Sequence, residues 1–255
     1  MKLRVLGCSG GISTNLRTTS LLIDDDILID SGSGVGDLSL DEMANIRHVF
    51  LTHSHLDHIS FLPLMVDSIF DRIKRPVMIH AQPATLMALQ KHIFNWAIWP
   101  DFAKLPTPDK PVMAYSAMSP GEVKTIDGRK IEMIPVFHIV PAVGYRIESP
   151  AGAALAFSGD TATNDTLWEA LNAHRRLDLL IVEAAFSNAD EELSIKARHY
   201  CSKTLARDLV KLKHKPEIYL THTKPGEEQT ISRECRELMP HIELKTLFGG
   251  EVFEL

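Results

Sequence analysis

Four potential metal ligands fall within six residues in the stretch Thr52-His53-Ser54-His55-Leu56-Asp57-His58. Imidazole and carboxylate donors suit zinc, manganese or iron better than calcium or magnesium. His53 and His55 are two residues apart, so in extended chain they point the same way. Asp57 and His58 are adjacent and must diverge. One turn can therefore serve two metal ions, with the two histidines on one and the Asp/His pair on the other. The competing reading is a polar loop that is merely rich in histidine. It is weakened by three further candidate ligands, His138, Asp160 and His222, each directly after a strand-like run.

These side chains need rigid elements to hold them. His48 to Thr52 is an apolar run that reads as a buried strand, and Ile59 to Phe70 reads as a helix apart from Pro63. The ligands of the heptad therefore sit on a strand-to-helix turn. Gly121 to Ile126 and Arg129 to Val136 alternate as strands around Asp127-Gly128 and deliver Phe137-His138. Val143 to Glu148 and Ala153 to Phe157 form a second hairpin that runs on to Asp160, and Glu217 to Leu220 is a strand leading to His222. Leu177 to Val182 is a buried strand ending at Glu183, and His199 precedes a helix over Lys203 to Leu212.

The opening strand, Leu3 to Leu6, ends in Gly7-Cys8-Ser9-Gly10-Gly11. This turn lacks the Lys-Ser/Thr of a phosphate loop and reads instead as backbone that approaches the site closely. Ser20 to Asp24 and Asp26 to Asp30 form a hairpin around three aspartates, whose spacing is not that of a calcium loop; an exposed turn is expected. Asp41 to Ile46 is a short helix, Val77 to His80 a strand whose final histidine is read as a non-ligand, and Pro83 to Phe94 a helix. The cluster Phe94 to Phe102 carries Trp96 and Trp99, which could wall a base-binding cleft because aromatic faces stack on purines. Leu105 to Pro120, with Pro106, Pro108, Pro111 and Pro120, reads as a loop over the site. Asp165 to Leu171 is helical, and Ile242 to Leu247 and Glu251 to Leu255 close the sheet.

With 255 residues, 45% hydrophobic and 24% charged, one domain over residues 1–255 is expected. The net charge of −6 disfavours a long nucleic acid as partner and leaves small anionic substrates open. The cations around Lys203 to Lys215 read as a solvated helix face. No 18-residue apolar run exists, and the first residues read as a strand rather than a secretory signal. Three cysteines, Cys8, Cys201 and Cys235, give an odd count that suits a reducing, cytoplasmic setting. Cys8 reads as a buried small hydrophobe.

The H-x-H-x-D-H heptad resembles that of metallo-β-lactamase-superfamily hydrolases. Its continuation to Ile59-Ser60, the Gly-x-Ser-Gly-Gly start and Phe-Asn-x-x-Ile-Trp-Pro at residues 94–100 resemble the class II cyclic-nucleotide phosphodiesterases. The resemblance implies an α/β (α+β) four-layer αββα sandwich. It also implies that His53, His55 and His138 hold one metal, that Asp57, His58 and His222 hold the other, and that Asp160 bridges both. Asp30, ending the strand Ile27 to Ile29, would orient a ligand rather than bind metal itself. Two divalent ions, zinc or else manganese or iron, would activate a bridging hydroxide to attack a phosphodiester.

His199 is the candidate general acid, in a His-Tyr-Cys-Ser-Lys context similar to the Gly-His-Leu/Ser-Thr element of phosphodiesterases and tRNA-processing enzymes, with Arg198 in place of the glycine. Glu183 resembles the acidic residue that pairs with that histidine. Capping and core polar pairing are the bland readings of both. The leading expectation is a phosphodiesterase acting on cyclic AMP or cyclic GMP, with a homodimer common among relatives. The alternatives are a tRNA 3′-end endonuclease, a thioesterase or lactonase of the glyoxalase II kind, and a non-catalytic sensor on an inherited hydrolase fold.

Overall fold

A computed structural model describes residues 1–255. Its strands in chain order are β1 (Lys2–Gly7), β2 (Ser20–Ile23), β3 (Ile27–Ile29), β4 (His48–Phe50), β5 (Val77–Ala81), β6 (Pro106–Thr107), β7 (Lys110–Pro111) and β8 (Met113–Ala117), then β9 (Val123–Ile126), β10 (Arg129–Pro135), β11 (Val143–Glu148), β12 (Ala154–Phe157), β13 (Leu179–Glu183), β14 (Glu217–Thr221), β15 (Leu244–Thr246) and β16 (Val252–Glu254). The helices are α1 (Leu40–Asn45), α2 (Leu56–Ile59), α3 (Phe61–Ser68), α4 (Pro83–His92), α5 (Thr166–Ala173), α6 (Glu191–Ala197), α7 (Ser202–Leu209) and α8 (Glu228–Leu238).

Two seven-stranded sheets form, in the orders β16-β1-β2-β3-β4-β5-β8 and β15-β14-β13-β12-β11-β10-β9. Each is half antiparallel and half parallel. Strand alternation explains the layering, because successive side chains face opposite sides. Leu21 and Ile23, Ile27 and Ile29, Leu155 and Phe157, and Leu179 and Ile181 point inward and pack sheet on sheet. Leu22, Leu28 and Val49 point outward under Met43, Leu62 and Leu86 of the first helical layer. Leu180, Val182 and Leu220 meet Trp168, Leu205 and Ile231 of the second. The result is the expected four-layer αββα sandwich.

Strand direction then places the site. β3, β4 and β5 are parallel, as are β12, β13 and β14. β10 runs the same way as β12, since both are antiparallel to β11. The residues after β3, β4, β10, β12, β13 and β14 therefore leave the sheets at carboxyl ends that share an edge. Asp30 and His222 both take left-handed backbone, with φ of 57° and 60°. Asp and His are among the residues that tolerate this conformation, which turns the chain sharply at the strand end.

Several expectations need correction. Leu105 to Pro120 is not a loop throughout, because Met113–Ala117 pairs with β5 as an edge strand and buries Met113. Helices α6 and α8 lie in stretches to which the sequence assigns no element; each buries only a few residues, Ser194 in α6 and Ile231, Ser232 and Cys235 in α8. β15 and β16 close different sheets, one against β14 and the other against β1. Pro63 does not break its helix, since it falls in the first turn of α3, where the missing N–H has no intrahelical role. The aspartate turn is more than an exposed loop: Arg129, 7% exposed, holds Asp26 with two bonds of 2.6 and 2.8 Å and Asp24 with one of 2.9 Å, tying the two sheets together.

Candidate metal centre

The heptad continues β4, with its Asp57 and His58 in the first turn of α2. The fold brings its residues against the three remote strand-end residues in two groups, His53, His55, His138 and Asp160, and Asp57, His58, Asp160 and His222. Within each group one ligand atom per residue lies within 4.8 Å of all the others. Asp160 is common to both, with Oδ2 3.7 Å from His53 Nε2 and 3.3 Å from His222 Nε2, and Oδ1 3.3 Å from His58 Nε2. His55 Nδ1 lies 3.2 Å from His138 Nε2, and Asp57 Oδ2 lies 3.2 Å from His222 Nε2.

The surrounding bonds set which nitrogens face inward. His58 donates from Nδ1 to Asp30 Oδ2 at 2.7 Å, and His138 donates from Nδ1 to the Arg198 carbonyl at 2.9 Å. Each bond leaves an Nε2 lone pair directed at the centre. Asp30 reaches the first group as well. Thr52 Oγ1 donates to Asp30 Oδ2 at 2.8 Å and lies 3.0 Å from His53 Nδ1. Thr52 was not singled out from sequence, and only its place before the heptad could have suggested it. Gly10 is the close approach expected of the glycine turn, since a Cβ there would lie 2.4 Å from the His222 carbonyl oxygen. Cys8 packs against the central core, and burial pushes its thiol up to about 12.

The donor set fits divalent cations. His53 Nε2 and Asp160 Oδ1 are buried and lack any hydrogen-bond partner, and the Nε2 atoms of His58 and His222 face each other at 3.4 Å. Buried lone pairs converging without donors are costly unless a cation sits among them. The charges are arranged accordingly. Burial would raise the Asp160 carboxyl, but His222, His58 and His53 around it hold it well below its usual range. Burial, with His58 nearby, pushes His53 well down, so it stays a neutral donor.

His199 stands beside both groups, its ring centroid 4.8 Å from that of His138 and 5.3 Å from that of His222. Its Nδ1 is 2.8 Å from Glu183 Oε1, which leaves Nε2 for a substrate. Burial opposes the charge on His199, but the adjacent Glu183 carboxylate outweighs it and raises the imidazole above its usual range. Glu183 is fully buried and also accepts from the backbone N–H of Thr161 at 2.9 Å, Ala185 at 3.0 Å and Tyr200 at 3.3 Å. Sequence reasoning overlooked the meaning of Arg198: its φ is 55°, so it occupies the left-handed position that favours glycine.

Trp96 and Trp99 are not brought to this centre. α4 starts at the carboxyl end of β5 and runs back along the sheet, so the loop after it lies at the opposite edge. There Phe94, Phe102 and Trp99 pack into the outer core, and Trp96 is exposed. The expectation that they wall the substrate cleft is corrected by this placement; apolar burial accounts for Phe94, Phe102 and Trp99, while Trp96 and Ile98 face solvent. His80 likewise sits away from the metal ligands, 3.0 Å from His48 and stacked on Phe50.

A family model described as "Beta-lactamase superfamily domain" matches residues 26–223. A protein of Yersinia pestis named "Probable 3′,5′-cyclic-nucleotide phosphodiesterase" is 25% identical, the alignment covering 88% of this chain and 78% of that one. A ribonuclease Z of Halorubrum lacusprofundi is 28% identical over 58% of this chain and 48% of its own. The unliganded crystal structure of yeast PDE1 superposes with a TM-score of 0.81 at 20% identity, covering 100% of this chain and 99% of that one, a likeness of fold. No helix is long and apolar enough to cross a membrane. The matched span takes in the heptad, His138, Asp160 and His222, and with it this chain belongs to the metallo-β-lactamase superfamily of hydrolases, within which it resembles the class II cyclic-nucleotide phosphodiesterases.

Proposed function

We propose that the protein is a dinuclear metal-dependent phosphodiesterase that hydrolyses a small phosphodiester, with a 3′,5′-cyclic nucleotide as the substrate favoured by its relatives' names. The observation that carries this reading is the position of His199, in ring contact with one histidine from each ligand group while Glu183 holds its far nitrogen. A metal centre alone serves lactones and thioesters as well; a buried, carboxylate-paired imidazole beside it suits an alkoxide leaving group that must be protonated.

In this reading His53, His55 and His138 hold one ion, Asp57, His58 and His222 hold the other, and Asp160 serves both. When bound, two zinc ions, or manganese or iron in their place, would supply a water of lowered pKa and polarise a phosphoryl oxygen. The chain's own residues do the rest. Asp30 holds His58 directly and His53 through Thr52, so one buried carboxylate orients a ligand in each group. Asp57 and Asp160 offset only part of the ions' charge, so the centre attracts an anionic ester. His199 Nε2 delivers a proton to the departing oxygen, and Glu183 fixes the ring and stabilises its charged form.

The test is metal content followed by cleavage of bis(p-nitrophenyl) phosphate and cyclic AMP. Two metals per chain and cleavage of both substrates are expected in the wild type. Asp160→Ala should lower metal content and cut both activities by more than the roughly 10–100-fold that loss of an orienting partner costs. A fully loaded wild type inert towards both diesters would overturn the reading. The matches to ribonuclease Z keep a tRNA 3′-end endonuclease as the second reading. It predicts tRNA binding that survives moderate salt, which the net charge of −6 disfavours.

A further inference from the structure

The ligands that are not fully buried are His55 and Asp57, on either side of Leu56, which is 66% exposed. The centre therefore opens around Leu56. Against this opening lies a cavity of about 680 Å³, within the size range of small-molecule sites. Its walls come from the heptad helix, the loop after β1 and the turn at residues 33–37. Leu56, Ile12, Leu16 and Phe61 supply apolar surface, and Ile12 is 72% exposed with nothing packed over it. Gly36 lets the Phe61 ring reach its place, since a Cβ there would lie 2.7 Å from Phe61 Cε1.

We infer that this cavity holds the uncharged body of the substrate, a ring system of nucleoside size, while its phosphate lies at the metal centre; the inference rests on the phosphodiesterase reading. Besides Asp57 itself, the cavity's charged groups are Arg17 and Asp37, and these pair with each other at 3.1 Å. The cavity itself is lined by no unpaired cation that could hold a second phosphate; Lys224 and Arg198, which have no carboxylate partner, stand beside the metal centre and not among its lining residues. An oligonucleotide carries one phosphate per step and would need such cations; a substrate whose single charge is the reacting phosphate does not. Alongside the apolar residues, the cavity is also lined by Ser13 and Ser60. A lipid chain has nothing to offer them, whereas a nucleoside has both a flat apolar face and polar edges.

The experiment is calorimetric titration of zinc-loaded protein with adenosine 5′-monophosphate and with ribose 5-phosphate, in which an anomeric hydroxyl replaces the adenine ring system. It is repeated on Ile12→Ser and on the Ile12→Ser/Leu56→Ser double variant, both exposed positions, with thermal melts to verify folding. The wild type should bind the nucleotide at least about tenfold more tightly than the sugar phosphate, and the double variant should narrow this to within about threefold. Equal affinities in the wild type, or an undiminished preference in the folded double variant, would overturn the inference. A ring preference in a protein that leaves all diesters intact would sink the phosphodiesterase reading and not this site. Diester cleavage without ring preference would do the reverse.

Discussion

Arg198 and His138 hold each other reciprocally: His138 Nδ1 donates to the Arg198 carbonyl at 2.9 Å, and Arg198 Nη1 donates to the His138 carbonyl at 2.8 Å. The Arg198 guanidinium also lies over Phe137, 4.4 Å from the ring centroid. The carbonyl points at His138 because Arg198 is left-handed, a conformation that costs a residue with a Cβ about 1–2 kcal/mol. Arg198→Gly and Arg198→Val both delete the guanidinium, so their difference isolates the backbone. The valine variant should be less stable than the glycine variant by about 1–2 kcal/mol and should bind its metals more weakly. Urea melts and metal titration of the two proteins check this.

Asp30 is fully buried and joins His58 directly and His53 through Thr52. Asp30→Ala should weaken metal binding about 10–100-fold, although Asp30 is not itself in either ligand group. Competition against a chelator of known affinity measures it. Undiminished affinity would mean that packing alone fixes the two imidazoles.

If His199 protonates a leaving oxygen, its importance depends on the substrate. His199→Gln should slow cleavage of cyclic AMP about 10²–10⁴-fold. It should slow bis(p-nitrophenyl) phosphate far less, because p-nitrophenolate departs without a proton. Glu183→Gln should show the same split with smaller losses. Equal losses on both substrates, with metal content intact, would assign His199 to phosphate binding instead.

His80 is buried between Phe50 and His48, and burial, with His48 beside it, lowers its pKa to about 4. The unfolded chain takes up this proton near pH 6.5, the folded chain only near pH 4. Between these values the unfolded state binds more protons, so stability falls as the medium is acidified and levels off below pH 4. The contribution is on the order of 2–3 kcal/mol. Urea midpoints for wild type and His80→Gln at pH 7.5 and 4.5 should show the wild type losing more stability by about that amount.

Much of the centre was legible because ligand type and strand end are local properties. Apolar runs such as Leu155-Ala156-Phe157 and Ile218-Tyr219-Leu220 announce a buried strand, and the polar residue just beyond each announces its end. The heptad is local in the same sense. Helices α6 and α8 were illegible for the opposite reason: few of their residues are apolar and buried, and Leu193 and Ile195 of α6 are exposed. The tryptophan cluster misled because an aromatic run looks the same whether it stacks on a ligand, packs on a core as Trp99 does, or faces solvent as Trp96 does.

By itself the sequence determined the donor types, their order, the buried strands and the four-layer architecture that their resemblance implied. The tertiary structure decided which of those donors meet. His58 and His222 are 164 residues apart, and only the parallel run of β3 to β5 in one sheet and β12 to β14 in the other puts their nitrogens 3.4 Å apart. It also decided that Asp160 is shared, that His199 touches both groups, and that Trp96 and Trp99 lie at the far edge. Periodicity along a chain records which face of an element is buried. The direction and pairing of strands, set by packing across the whole sandwich, determine which ends share an edge.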